Sequence, residues 1–285
     1  MGSKVASAGC PAIGVTYEGG DPALLERLME VADYLEVAPD FIATGTGDDL
    51  RIRREILGEW QAAAEEVEIV AHGVGLSIGS ASGWNEAYLR LVDELSDAVP
   101  LRWHSEHLGY TTVDGEPLGT MLSLPRTEEA LDLVCERVIR MQERYPVRFL
   151  LENIARMLPD PDGDYDEAGF LNELYKRTGC GLVLDVYNLE CDAHNHGLDI
   201  DGFLGALELG AVHELHVAGG TEVGGMKLDV HSRRAQPSTV ALAARAVAAA
   251  PAVWGVTYEV LPEAVPVLGH DVIVDEVMRL RAALS

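Results

Sequence analysis

The stretch Glu128–Glu152, EEALDLVCERVIRMQERYPVRFLLE, joins two patterns. Glu128–Tyr145 reads as a helix with one apolar face, on which Cys135 falls. Close behind it comes a short β-like run, Arg148–Glu152, that ends on a carboxylate. The same pairing recurs on both sides. Further β-like runs lie at Ala12–Thr16, Tyr34–Val37, Glu68–His72, Leu101–Ser105, Gly181–Val186, Glu214–Val217 and Val256–Val260. Helical patterns fall between them at Pro22–Val31, Asp48–Glu65, Asn85–Asp97, Glu167–Thr178, Gly202–Leu209, Ser238–Ala249 and Asp271–Ala283. The first of these helices opens after Asp21, an N-cap followed by a first-turn proline. Strand alternating with helix eight times implies a parallel α/β sheet. Eight such units in 285 residues imply a closed (β/α)8 TIM barrel rather than an open doubly wound sheet. No G-x-G-x-x-G follows the first strand and no G-x-x-x-x-G-K-[ST] occurs, so a nucleotide-binding fold gains no support. No low-complexity linker divides the chain. Residues 1–285 read as a single domain, with residues 1–10 a disordered or tag-derived start. Four connections are long: Leu108–Thr127, Ala155–Asp166, Leu189–Asp199 and Ala218–Pro237. Loops of this length inside a compact domain often carry function.

Composition excludes several classes. The net charge of -26 repels phosphate backbones and anionic lipid heads, which argues against nucleic acid and membrane partners. No apolar run approaches the ~20 residues of a membrane span. The start lacks the apolar core of a signal peptide, which points to a cytoplasmic location. The four cysteines, Cys10, Cys135, Cys180 and Cys191, form no C-x-x-C pair and no disulfide framework. Cys191 falls near the candidate site, although a free cysteine more often packs as a small hydrophobe.

The chemistry gathers at the strand ends. The third strand ends at His72, the fourth runs into His104, Glu106 and His107, and the fifth ends at Glu152. The sixth ends near Asp185, the seventh at His216 and the eighth at Glu259. His72, His107, Glu152, Asp185, His216 and Glu259 follow one another at intervals of 31 to 45 residues, about one βα unit each. In a barrel the C-terminal strand ends converge on one mouth. Like charges gathered there would repel and raise one another's pKa values, and a multivalent cation removes that cost. Imidazole nitrogen with carboxylate oxygen suits iron, manganese or zinc. The absence of clustered cysteine argues against an iron–sulfur or structural zinc site. Asn188 follows Asp185 closely, and Asp229 and His231 alternate, so that in an extended segment both would point the same way. This is more ligands than one ion uses, and two or three ions is the natural inference. His104, beside Ser105, is expected to face the helices. His194 and His196 fall in a polar loop as a turn, a substrate contact or a lid. His213 and His270 read as structural.

His72-Gly73-Val74-Gly75-Leu76-Ser77-Ile78-Gly79, Ser105-Glu106-His107-Leu108, Glu152-Asn153-Ile154, Asn195-His196-Gly197 and Tyr34-Leu35-Glu36-Val37 resemble the multinuclear non-haem iron-dependent oxidative enzymes, whose founding member works in methanobactin biosynthesis. The resemblance runs from the first strand to Glu259. It implies a barrel with two or three irons that activates dioxygen and modifies a ribosomally made precursor peptide at Cys, Asp or Asn. A partner protein often presents the peptide. Carried over, Glu152 bridges two irons, His72 and His107 complete one site, and Asp185, His216 and Glu259 complete another. Asn188, Asp229 and His231 form the third. His196, Asn153 and Tyr187 are weaker candidates for substrate contact. The sequence departs from the family pattern in three places. A His-x-Ala-Gly-His run is here His216-Val217-Ala218-Gly219-Gly220, an Asn-Asn pair is Tyr187-Asn188, and Leu261 stands at an acidic position. Two other readings of the ligands stay open. One is a zinc- or manganese-dependent hydrolase or isomerase barrel, like endonuclease IV or xylose isomerase. The other is a barrel that has lost activity and serves as a scaffold.

Overall fold

Strands such as Gly181–Asp185 (GLVLD) and Arg148–Glu152 (RFLLE) are apolar on both faces, as a parallel sheet covered by helices requires. In the computed structural model, which describes residues 10–159 and 163–285, eight such strands close into a barrel. They are β1 (Ala12–Thr16), β2 (Tyr34–Val37), β3 (Glu68–Gly73), β4 (Leu101–His107), β5 (Arg148–Glu152), β6 (Gly181–Asp185), β7 (Val212–Val217) and β8 (Gly255–Tyr258). Each is parallel to both neighbours, and β1 pairs with β8 and β2 to complete the circle. The helices α1 (Pro22–Val31), α2 (Arg54–Ala63), α3 (Glu86–Ala98), α4 (Glu128–Arg144), α5 (Glu167–Thr178), α6 (Val186–His196), α7 (Ile200–Ala206), α8 (Pro237–Ala249), α9 (Val265–Leu268) and α10 (His270–Leu284) complete the fold. On α4 the apolar face is Leu131, Val134, Val138 and Met141, all buried at helical spacing. Asp21 caps α1 by accepting from the Leu24 N–H, as its place before a first-turn proline predicts.

Three connections differ from the sequence expectation. Leu189–Asp199 is largely helix α6. Asp185 caps it by accepting from the Asn188 N–H, Val186, Tyr187, Leu189 and Cys191 are buried along it, and Gly197 ends it in the left-handed region. Leu108–Thr127 holds the antiparallel hairpin Gly109–Val113/Glu116–Ser123, and Ala218–Pro237 holds Thr221–Val223/Met226–Leu228. The single helix expected over Asp48–Glu65 is broken. Arg51–Ile52 pairs with Ala43–Thr44, and the Ile52 N–H donates to Glu94, so only Arg54–Ala63 is α-helical, after a single 3-10 turn at Gly47–Asp49. Part of Ala155–Asp166 and nearly all of the first ten residues lie outside the described residues. No helix among the described residues is long and apolar enough to cross a membrane.

The barrel interior is layered by the two-residue period of its strands. Tyr34, Val70, Trp103, Leu150 and Val183 cluster as a packed floor. Glu214 shares this layer, fully buried, and accepts from Trp103 Nε1 at 2.6 Å, Thr257 Oγ1 at 2.7 Å and Tyr34 Oη at 3.0 Å. Donors of this kind offset the desolvation of a buried carboxylate. Two residues beyond this layer stand Glu36, His72, Glu152, Asp185 and His216 on their strands, and Glu259 just past the end of β8.

Candidate metal centre

These side chains meet. Donor atoms of His72, His107 and Glu152 all lie within 4.8 Å of one another, as do those of Glu152, Asp185, His216 and Glu259. Glu152 belongs to both groups. Its Oε2 lies 3.0 Å from His72 Nε2 and 3.3 Å from His107 Nε2, and its Oε1 lies 3.2 Å from His216 Nδ1. Glu259 Oε2 lies 3.1 Å from the same His216 nitrogen. Glu152, Asp185 and His216 are completely buried.

The backbone and a second ring of polar groups fix how the imidazoles turn. His107 Nδ1 lies 2.9 Å from the Gly73 carbonyl, which only accepts, so the proton is on Nδ1 and the Nε2 lone pair faces Glu152. His72 Nδ1 lies 2.9 Å from Ser105 Oγ, and that hydroxyl donates to the Ala71 carbonyl at 3.3 Å. His72 therefore also presents Nε2 inward. Asn153 locks the ends of β5 and β6 together. Its amide donates to the Asp185 carbonyl at 3.1 Å and accepts from the Asp185 N–H at 2.9 Å. Asn188 Nδ2 donates to the Asn153 carbonyl at 3.1 Å, which leaves Asn188 Oδ1 buried without a donor.

Asp229 and His231 reach the mouth by another route. The segment is not a strand. His231 has φ of +35°, a left-handed conformation costly for a bulky residue and retained where the surroundings enforce it. The two side chains are nonetheless in contact through His231 Nε2 and Asp229 Oδ1. His231 Nδ1 lies 3.1 Å from Glu259 Oε1, and its Nε2 lies 4.0 Å from Asp185 Oδ2. Asn195 on α6 holds the preceding hairpin. Its amide donates to the Lys227 carbonyl at 2.8 Å and accepts from the Lys227 N–H at 2.9 Å. His196 Nε2 bonds the Arg156 carbonyl at 2.8 Å, and Arg156 pairs with Asp192, which ties the segment after β5 to the same helix. Asp229 is the open edge of the cluster, with 24% of its side chain exposed.

The charge balance is that of a cation site. Burial opposes ionisation of Glu152, yet His107, His216 and His72 hold its carboxyl well below the usual range. Burial also opposes a charged His72, but Glu152 and Glu36 carry its pKa up to about 9. Asp185 is pushed well above the usual range by burial and by Glu152. Buried atoms without a hydrogen-bond partner gather here: both Glu152 oxygens, both His216 nitrogens, His72 Nε2, Asp185 Oδ2, Asp229 Oδ1, His231 Nε2 and Glu259 Oε2. Unpaired polar groups at this depth cost several kcal/mol each, so this donor set fits metal ions.

Residues 13–283 match the family described as RiPP precursor modification enzyme MbnB/TglH/ChrH. The chain belongs to that family. Its relatives include a UPF0276 protein of Anaeromyxobacter sp. (strain Fw109-5), 33% identical over 72% of this chain and 73% of that one. Another, from Caulobacter vibrioides (strain NA1000 / CB15N), is 33% identical over 77% of this chain and 76% of that one. Among solved structures, a xylose isomerase domain containing protein from Salmonella typhimurium LT2 superposes with a TM-score of 0.65 at 14% identity, over 96% of this chain and 97% of that one. D-psicose 3-epimerase from Clostridium cellulolyticum H10 does so with 0.60 at 14% identity, over 96% and 99%. At this identity the likeness is one of fold.

Two of the chain's departures from the family pattern touch each other. A Cβ at Gly220 would sit 2.5 Å from Tyr187 Oη and closer still to the Leu228 carbonyl. Tyr187 thus fills the space that a side chain at 220 would need, with its hydroxyl toward Leu228 O at 3.4 Å and its ring beside Cys191 and Ala218. Cys191 is buried and its thiol is pushed up to about 12 by that burial, which fits a packing role. Three of the remaining histidines pack away from the cluster. His104 faces the helices, against Tyr145 and Phe149, His213 meets Trp254 edge to face, and His270 pairs with Asp21. His194 and His196 lie in the last turn of α6 rather than in a loop.

Proposed function

We propose that this mouth holds two or three iron ions and that the protein is a multinuclear non-haem iron-dependent oxidase or oxygenase. Its substrate would be a ribosomally synthesised precursor peptide, modified at a Cys, Asp or Asn residue. The observation that carries the reading is the buried convergence on Glu152 of imidazole and carboxylate atoms with no hydrogen-bond partners, in a chain of a peptide-modifying family. His72, His107 and Glu152 would hold one ion. Glu152, Asp185, His216 and Glu259 would hold a second, and Asn188, Asp229 and His231 a third. When bound, the irons supply redox chemistry with dioxygen and Lewis-acid contact to a substrate atom.

The protein's own residues do the rest. The Gly73 carbonyl and Ser105 hold the His107 and His72 rings with Nε2 inward. The floor of Tyr34, Trp103 and their neighbours shuts the barrel below the ligands, so access is from above, beside the partly exposed Asp229. The hairpins after β4 and β7 flank that approach and would form the walls of a peptide channel, with Tyr187 as a buried part of the wall. The test is the iron-loaded protein, with and without air, against peptides encoded beside its gene, together with any neighbouring partner protein. The expected result is an oxygen-dependent mass change in one peptide. Absence of oxygen consumption with all of them would contradict the proposal, and zinc or manganese in the isolated protein would favour the hydrolase or isomerase reading.

A further inference from the structure

Glu36 is the member of the mouth that the three proposed sets leave without a role. It is fully buried near the end of β2, and neither carboxylate oxygen has a hydrogen-bond partner. Its Oε2 lies 3.3 Å from His216 Nε2. On the other side of that ring, Nδ1 faces Glu152 and Glu259 at 3.2 and 3.1 Å. Glu36 is placed either to bind metal itself, since its donor atom lies within 4.8 Å of atoms of His72 and His216, or to hold His216 from behind.

The other imidazoles decide between these. His107 and His72 each turn one nitrogen toward Glu152 and commit the other to an acceptor outside the cluster, the Gly73 carbonyl and Ser105 Oγ. His231 differs, with Nδ1 beside Glu259 Oε1 and Nε2 against Asp229, both members of the cluster. His216 has its ring reversed relative to His72 and His107, with Nδ1 inward and Nε2 outward. Two carboxylates stand near Nε2. Glu214 Oε1 is 3.8 Å away and already accepts from Thr257 and Tyr34, whereas Glu36 is closer and has no donor. A metal held by Glu36 would need a second nitrogen from His72, whose two are spent on Ser105 and on the side facing Glu152.

We infer that Glu36 is a positioning residue whose carboxylate accepts the Nε2–H of His216, fixing the tautomer that leaves Nδ1 free to bind the ion shared with Glu152 and Glu259. A carboxylate behind a ligating histidine orients the ring and strengthens it as a ligand. The inference rests on the metal reading above and assigns one residue a place in it.

Wild type, Glu36→Gln and Glu36→Leu are loaded anaerobically with iron(II). Bound iron per chain, its affinity by chelator competition and its Mössbauer spectrum are then compared. Gln keeps an acceptor for Nε2–H, and Leu offers none at similar size. The Leu variant is expected to bind one ion about 10–100-fold more weakly and to shift that ion's spectrum alone. The Gln variant is expected to retain both affinity and spectrum. The metal-free Leu variant loses the partner of His216 Nε2–H, so its thermal melt is recorded beside wild type, and a cooperative transition above the loading temperature separates lost positioning from lost folding. Equal loss in Gln and Leu would make Glu36 a ligand and overturn the inference. Unchanged binding in both would overturn it as well. A wild type that takes up no metal ion brings down the underlying metal reading, a result seen before the variants are compared.

Discussion

His72, His107, Glu152, Asp185 and His216 stand on barrel strands, whereas Asp229 and His231 arrive on the loop that leaves a hairpin, and the two groups are held by different forces. The strand-borne group inherits its geometry from the parallel ladder, and most of it is completely buried. The hairpin-borne pair depends on Asn195 clasping Lys227, on the left-handed backbone at His231 and on Glu259 Oε1. A site on rigid strands holds its shape without its ion, while a site on a clasped loop needs its clasp. The hairpin-borne ion should therefore be the weaker and the more readily lost.

The largest effect is expected at the joint between the strand-borne sets. Glu152→Gln removes the shared carboxylate, and elemental analysis should show a loss of about two ions per chain, since a neutral amide is a poor bridging ligand. Loss of only one ion would break the assignment of Glu152 to both sets. A smaller, selective effect is expected from Asn195→Ala, which frees the hairpin without touching a ligand. One ion should bind about 10–100-fold more weakly in chelator competition while the others hold. Equal weakening of all ions would erase the distinction between strand-borne and hairpin-borne ligands.

Acidity separates the strand-borne group in another way. His72 in the metal-free protein has a pKa raised from 6.5 to about 9. The stability this contributes is complete below pH 6.5 and is lost as pH rises through 9, because the folded state holds the proton longer than the unfolded chain. Thermal melts of metal-free protein should fall across that window, by about 2–4 °C for each kcal/mol lost. Bound metal takes the proton's place, so the loaded protein should lack this slope. A flat profile without metal would contradict the charge balance drawn for the cluster. The smallest effect is expected at the wall. Gly220→His overpacks against Tyr187 and should cost about 1–3 kcal/mol by denaturant unfolding, and Tyr187→Asn in the same chain should recover part of it. Additive losses would mean that the two positions are independent.

Much of this was legible in the residues. The strand ends could be read because a barrel repeats every few tens of residues and sends each strand's last side chains to one mouth, which placed His72, His107, Glu152, Asp185, His216 and Glu259 together. Glu36 escaped because β2 is four residues long and buried on both faces, so no alternation marks its inward side, and because Glu36 precedes the strand's last residue. Its signal was the spacing itself, one βα unit before His72. Glu214 opened a β-like run with nothing beside it to mark a role. Its three donors come from three other strands, a convergence that exists only in the closed barrel. Asp229 and His231 do meet, but not along the extended segment read from the sequence. The extended segment expected there is an irregular turn with a positive φ that follows a hairpin, and neither three-residue strand of that hairpin has enough period to be seen in sequence.

The most direct test of the shared-ligand mouth is a metal count on protein produced with iron supplied and purified without oxygen, followed by its Mössbauer spectrum. Two or three irons per chain with magnetically coupled sites are predicted, the coupling carried through Glu152. A single isolated ion, or a stoichiometric complement of zinc with no iron, would contradict it.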